Sequence, residues 1–456
     1  LSSIYLDLCK KAVEEAMKLG ASEAEALVLG ERSVGTEVER GQIKSCSDIA
    51  DVGIAVRVIL NGRIGFAFTN VLTEESAKEM ANRALKAAKS SPKDKNWRSL
   101  PSPKAYPVVQ ETYDKRIEEL TSDTTVELSQ RAIEATFGIG PNVLPAFGGT
   151  QIYVLELACA NSHGVEVYDK GTGIATYMAA MARSETQVSP MCYEFLAKRK
   201  YEIDPEWVGR EAGSLAVKST NVGPAEPGKF RVLLDPFALQ SILTYTFVEA
   251  IKGDNVYRGK SAYKNKVGEK VASEILSIYD DGTLPGGLYS AKADLEGVPC
   301  QRTPIIERGV LSGFIYDNYW ARLVGKESTG NAGRGGGGLG LPKYGTVPSI
   351  NPTNIVVEPG DASEEELISE VKDGYYIREV QGAHQSNPET GEFSVALAPA
   401  FRIKEGRITH AVKGVMMAGN AYEMLKKIIL MGKEARQVGN FVAPKVVVEG
   451  MTIIAK

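Results

Sequence analysis

Three histidines are the natural starting point, because a metal-dependent hydrolase needs neutral imidazoles, thiolates or carboxylates converging on one ion. They are His163, His384 and His410, and none lies within five residues of another. No local pair of metal ligands exists. His384 stands in QGAHQSNPETGEF, between two expected strands and flanked by Gly382 and Gly391, where it reads either as a turn histidine or as a polar contact in a substrate groove. A second group is acidic: Glu249, then Gly253-Asp254, followed by Tyr257, Arg258 and Gly259. Asp254 or Glu249 could hold Arg258 in a charge-assisted pair, which would serve structure without doing chemistry. The third is the glycine-rich run NAGRGGGGLG (331–340), with Gly330 before it. Its free backbone N–H groups could cradle a phosphate or lie against an extended peptide, or the run could simply be a flexible loop. No Gly-Lys-Ser/Thr follows, so it is not a P-loop. G-x-S-x-G is absent too, and no serine is paired locally with a histidine.

Elements must position these residues. Residues 1–19 have apolar positions at helical spacing (Ile4, Leu8, Ala12, Val13, Ala16) and stop at Gly20. Short alternating strands are expected at 25–29, 36–40, 43–47, 51–60 and 63–68, with Asn61-Gly62 as a hairpin turn whose two residues must accept positive φ. The stretch 73–90 reads as a helix opened by Thr73, with acids early and lysines late. A second helix at about 120–136 leads into strands near 150–158, 164–168 and 173–184. Helices and antiparallel strands in this order predict an α+β fold.

The proline-bearing stretch 220–228 is the expected boundary, giving an N-terminal domain 1–220 and a β-rich C-terminal domain 221–456. Past it come a strand at 230–234, Asp235-Pro236, and a helix of about 15 residues ending near Gly253. Further helices are expected at 363–372 and 421–439.

The 456 residues suffice for two or three domains. With 24% charged residues, 43% hydrophobic residues and a net charge of −4, the chain has no basic excess, which argues against direct nucleic-acid binding. No apolar run approaches the length of a membrane span. The first 18 residues carry Asp7, Lys10, Lys11, Glu14 and Glu15, unlike a signal-peptide core, so a cytoplasmic protein is expected. Five scattered cysteines without C-x-x-C fit reduced thiols.

A run of segments resembles the TldD/PmbA family, whose members were named as modulators of DNA gyrase and are regarded as metallopeptidases. They are GDNVYRGKSAYKNKVGEKV (253–271), EGVPCQRTPIIERGVLSGFIYDNYWA (296–321), STGNAG (328–333), PTNIVVEPGDAS (352–363), GAHQSNPETGEF (382–393) and EGRITHAVKGVMMAGN (405–420). The N-terminal half agrees through ASEAEALV, VERGQIKSCSD and GIAVRVILNGRIGFAFTN. In the TldD type, HExxxH precedes the Gly-Asp and a late cysteine adds a zinc ligand. Carried onto this sequence, the two histidine positions are Thr244 and Glu249, the glutamate position is Tyr245, and the cysteine position is near Leu397. Threonine and leucine are poor zinc ligands, and tyrosine is not the usual carboxylate base.

The resemblance therefore implies the PmbA or TldE type, with no catalytic residues and no metal in this chain and zinc expected in a TldD-type partner. Heterodimer or homodimer, the assembly would act on unfolded peptide entering as an added β-strand. Asp254, Arg258, Asn331, Gly333 and His384 are the expected substrate or partner contacts. Two alternatives stand beside this: a self-sufficient metallopeptidase with a relocated metal site, perhaps using Glu249, Asp254 and His384, and a binding protein associated with gyrase or DNA.

Overall fold

The computed structural model describes residues 2–335 and 343–455, the side chains of residues 2 and 3 excepted. The helix α1 (Ser2–Lys18) is followed by the strands β1 (Glu23–Glu39), β2 (Gln42–Leu60) and β3 (Arg63–Thr69), then by the helix α2 (Glu74–Ser90). After a connector come the helix Ser122–Phe137, the strands β4 (Val143–Asn161), β5 (Glu166–Ala182) and β6 (Cys192–Lys198), and the helix Pro205–Lys218. The six strands form one antiparallel sheet in the order β3-β2-β1-β4-β5-β6.

The expected short strands at 25–29 and 36–40 are one strand, as are those at 43–47 and 51–60. β1 lies between β2 and β4 and is paired residue by residue on both sides for nearly its whole length, so the ladder carries it through Gly30 and Gly35 despite their low strand propensity. The Asn61-Gly62 turn forms as expected, both residues at positive φ, and Arg40-Gly41 closes the preceding hairpin in the same way.

Alternation splits the faces of β1. Ala24, Ala26 and Val28 join α1 and α2 in one core with Ala12, Ala16, Ala77, Ala81 and Ala84, while Leu27 and Leu29 point the other way and pack with Ala293 of the C-terminal part. Small residues let the helices sit close. At Gly65 a Cβ would fall 1.9 Å from the carbonyl oxygen of Ala84 on α2.

The C-terminal part is organised around the strand Phe441–Ile454, which pairs with Gly228–Leu234, Ile428–Val438 and Met416–Asn420 antiparallel and with Ile355–Val357 parallel. Its mixed sheet, of thirteen strands among the described residues, packs on the largest core, to which the helix Pro236–Thr244 contributes Ala238, Leu239, Ile242 and Leu243. Strands and helices are thus combined as α+β.

Two helices depart from expectation. The stretch 421–439 is helical only over Ala421–Lys426; Ile428–Val438 is a strand, turned by Gly439 at positive φ back onto Phe441–Ile454. Its charges had suggested a helix, and the partner strand decided otherwise. The helix expected from Pro236 to about Gly253 is three pieces, Pro236–Thr244, Phe247–Ala250 and Gly253–Tyr257. Among the described residues no helix is long and apolar enough to cross a membrane.

Candidate functional site

The strand Gly228–Leu234 delivers Asp235, which caps the following helix by accepting the Phe237 N–H, and Pro236 occupies the first turn, where its missing N–H costs nothing. The helix ends at Thr244. Thr246 leaves helical geometry (φ −130°, ψ −77°) and its hydroxyl donates back to the Ile242 carbonyl at 2.7 Å. The next break, at Ile251 and Lys252, has a tertiary cause: Ile315 N–H donates to the Ile251 carbonyl (3.0 Å) and Gly253 N–H to the Ile315 carbonyl (2.9 Å). Gly253 also lies flat against Tyr316, whose ring would be 2.1 Å from a Cβ there. These crossing hydrogen bonds take backbone groups that a continuous helix would use itself.

Thr244 accepts a hydrogen bond from Gln240 Nε2 at 2.9 Å. Tyr245 is 44% exposed and presents its ring edgewise to His384, centroids 6.4 Å apart and planes at 74°. His384 sits in a single 3-10 turn, Ala383–Gln385, entered through Gly382 at φ +89°. The carboxylate of Glu249 is already engaged, with Lys252 Nζ at 2.6 Å and Asn255 Nδ2 at 3.2 Å. Leu397 is buried on the strand Glu392–Leu397, opposite Val380. Thus these four positions, which supply a hydroxyl, a phenol, an ion-paired carboxylate and an alkyl group, offer little to a zinc ion. Among the described residues no group of three or more His, Cys, Asp or Glu side chains is arranged to hold a metal.

The other expected contacts fall into separate places. Asp254 and Arg258 face each other at 3.4 Å, and the guanidinium lies over the Trp320 ring, 4.8 Å from its centroid, in the structural role the sequence allowed. Glu249, the other acid considered for Arg258, pairs with Lys252 instead. Asn331 is interior: its Nδ2 donates to Asp280 (2.6 Å) and to the Asn351 carbonyl (3.1 Å), and its Oδ1 accepts from Thr329 Oγ1 (2.6 Å). With its amide fully used, Asn331 supports the loop and is not open to substrate in this arrangement. Burial pushes the Asp280 carboxyl up to about 6, against the hydrogen bonds from Asn331 and Thr353 that favour its charge. Gly333 bridges to Ser349, and a Cβ on it would meet Asn351 Nδ2 at 2.1 Å. Of the glycine-rich run, residues 336–340 lie outside the described residues. Among the described residues, no hydrogen bond, ion pair or ring contact joins the Tyr245–His384 pair to Asp254–Arg258 or to Asn331.

Two buried charge networks went unread in the sequence. In one, Arg57 Nη2 donates to Glu25 (2.8 Å) and to Glu296 (2.7 Å), while Arg334 Nη2 donates to the other oxygen of Glu25 (2.8 Å). Glu296 also accepts the Asn318 N–H. Burial works against the Arg57 charge, but the two carboxylates outweigh it and hold the guanidinium protonated. Beside them, burial and then the Glu296 charge lift the Asp317 carboxyl to about 7. In the other, Arg378 bridges Asp235 and Glu194 at 2.9 Å each, and Arg436 also reaches Glu194. Burial lifts neighbouring Glu379 to about 7. The available signal was a charge at an inward position of an apolar strand: Glu25 within AEALVL and Arg57 within GIAVRVIL.

Two shallow surface depressions, of about 330 and 380 Å³, are lined by residues such as Arg131, Glu134 and Arg210 and by Lys104, Tyr106 and Cys300. Neither includes Tyr245 or His384, and neither gathers groups suited to catalysis.

Family models described as PmbA/TldA metallopeptidase domain 1, central domain and C-terminal domain match residues 24–88, 115–220 and 227–455. An uncharacterized protein of Methanocaldococcus jannaschii is 32% identical over 446 residues, covering 97% of this chain and 99% of that one. A protein of Methanothermobacter thermautotrophicus described as a metalloprotease is 29% identical, covering 96% and 91%. Among solved structures, TldE from Thermococcus kodakarensis superposes with a TM-score of 0.92 at 30% identity, covering 98% of this chain and all of that one.

Proposed function

The chain belongs to the PmbA/TldA metallopeptidase family, and from that membership we propose that it is the non-catalytic, TldE-like subunit of a two-chain zinc peptidase that processes unfolded peptides. The observation that carries this reading is the filling of the family's motif positions. Thr244 and Tyr245 close a helix, Glu249 is held by Lys252, and Leu397 is buried in a strand. With three dispersed histidines in the sequence, the chain has no HExxxH from which to build the family's zinc site. The similarity to a solved TldE over the full chain supports the same assignment.

The zinc and its activated water would then come from a TldD-type partner, and this chain would contribute shape. Tyr245 and His384, exposed and packed edge to face, offer a polar aromatic surface to peptide passing the vestigial site. A peptide held mainly through its own backbone, as an added strand, needs little sequence identity, which suits a peptidase acting on unfolded chains.

Metal analysis of the purified chain, alone and co-purified with a TldD-type protein, tests the proposal together with cleavage of an unstructured peptide. Expected are no stoichiometric zinc and no cleavage from the chain alone, and zinc with chelator-sensitive cleavage from the complex. About one zinc per lone chain, with cleavage, would overturn the reading and favour a relocated metal site.

A further inference from the structure

The loop after Gly253–Tyr257 is charged out of keeping with the rest of the chain. Residues 252–270 hold six lysines and arginines against two acids, whereas the whole chain has a net charge of −4. Three of the six are matched: Lys252 pairs with Glu249, Arg258 with Asp254 and Lys270 with Glu274. Lys260, Lys264 and Lys266 are exposed, and among the described residues their ammonium groups have no ion pair or hydrogen bond. Glu269, the remaining acid of the loop, is exposed and does not pair with them either.

The loop is anchored from within, which fixes where these charges stand. Ser261 is buried, donating through Oγ to the Ala250 carbonyl (2.6 Å) and accepting the Tyr263 N–H (3.0 Å). The Tyr263 ring is buried against Phe247 and Tyr422, with centroids 6.1 and 5.1 Å away. Lys260 N–H donates to the Asn255 carbonyl (2.8 Å) and Lys266 N–H to the Tyr263 carbonyl (3.1 Å). Lys264 folds back toward Gly259, its Nζ 3.5 Å from where a Cβ would stand there. A ligand that meets charges on a backbone already held in place gives up less ordering entropy on binding.

The same anchors set the loop next to the Tyr245–His384 region. Phe247 and Ala250 bound the helix that carries Glu249, and the Tyr422 hydroxyl donates to the Pro388 carbonyl in the stretch that follows His384. An extended peptide places alternate side chains on one face, about 6–7 Å apart. Its backbone can therefore add as a strand while its side chains reach toward the lysines, whose flexible stems and compact charges accept carboxylates without demanding one geometry.

We infer that Lys260, Lys264 and Lys266 form a selectivity site for carboxylate side chains, so that this chain favours unfolded peptides rich in Asp and Glu. The inference rests on the proposed role in peptide processing and names the substrate class. Exposed pairs are individually weak and screened by salt, so the preference needs the three lysines together and fades at high ionic strength. The net negative charge of the chain favours a short acidic peptide over the longer phosphate backbone of a nucleic acid.

The test is fluorescence anisotropy of two labelled unstructured peptides on the purified chain, one with Asp and Glu at alternate positions and one with Asn and Gln in their place. The acidic peptide should bind on the order of tenfold more tightly at about 50 mM salt, and the advantage should fall to about twofold at about 0.5 M. Lys260→Gln, Lys264→Gln and Lys266→Gln combined should abolish it. Lys260→Arg, Lys264→Arg and Lys266→Arg combined should keep it, which separates charge from a folding defect. Lys86→Gln with Lys89→Gln, both exposed on α2, should leave it intact. Equal binding of the two peptides overturns the inference, as does an advantage that survives the triple glutamine variant or disappears in the α2 control. So does a single-stranded oligonucleotide that displaces the acidic peptide from these lysines at lower concentration than unlabelled acidic peptide does. Zinc and cleavage play no part in this readout: a lone chain with zinc and activity would sink the subunit proposal and leave the preference standing, and equal binding would do the reverse.

Discussion

The Glu25–Arg57–Glu296–Arg334 network and the Thr244–Tyr245–Glu249–His384 region both bring polar groups from distant parts of the chain together, yet they are built on opposite terms. In the network the charged ends are buried, each is paired, and the partners come from the N-terminal sheet and the C-terminal part together. In the other region Tyr245 and His384 are exposed, and Glu249 is tied to neighbours three and six residues away. Removing one member of a buried, paired set strands the rest, whereas an exposed side chain can be exchanged with little effect on folding. The buried charges therefore tie the N-terminal sheet to the C-terminal part, and the Thr244–Tyr245–Glu249–His384 region is lightly built by comparison.

The sharpest way to break that contrast is Arg57→Ala, which leaves Glu25 and Glu296 buried without their shared cation. A loss of about 3–5 kcal/mol is expected in chemical denaturation; a loss below about 1 kcal/mol would mean that water reaches the network and the contrast is false. Asn331→Ala, by removing a donor from buried Asp280, should cost about 1–3 kcal/mol by the same measurement.

Glu379 sharpens the comparison through pH. Burial raises its carboxyl to about 7, with the charges of Asp235 and Glu194 adding to the rise and Arg378 opposing it. The folded state thus binds a proton more readily than the unfolded one, and this group's contribution to stability is present below about pH 4 and lost as pH rises toward 7. Glu379→Gln should therefore match the parent near pH 4 and exceed it by about 1–2 kcal/mol at pH 8. Denaturation midpoints at the two pH values decide it, and equal differences at both would refute the assignment. Smallest of all, Tyr245→Ala should change stability by no more than about 0.5 kcal/mol, while weakening peptide retention by the complex if the aromatic pair lines the path.

Much of this could be read from the residues. The α1 and α2 helices, the Asn61-Gly62 hairpin and the α+β class follow from apolar periodicity and turn chemistry, which are local properties. Strand lengths did not follow, since the pairing that carries β1 through Gly30 and Gly35 comes from β2 on one side and, on the other, from β4, more than a hundred residues away. The helix after Pro236 looked continuous to about Gly253 partly because its second interruption, at Ile251 and Lys252, is imposed by Ile315 and Tyr316. Asn331 looked available to a ligand because its partners Asp280 and Asn351 are adjacent only in space.

What the sequence determined by itself is chemical inventory: three dispersed histidines, no HExxxH, and a set of ordered segments shared with one family. Side-chain chemistry is intrinsic to each residue, so a ligand that is missing from the sequence cannot be supplied by folding. What only the tertiary structure decided is which groups meet and which are left exposed. It buried Glu25 against Arg57 and Arg334 and spent the amide of Asn331 inside a loop, because desolvation and hydrogen-bond pairing depend on neighbours that the linear order does not reveal.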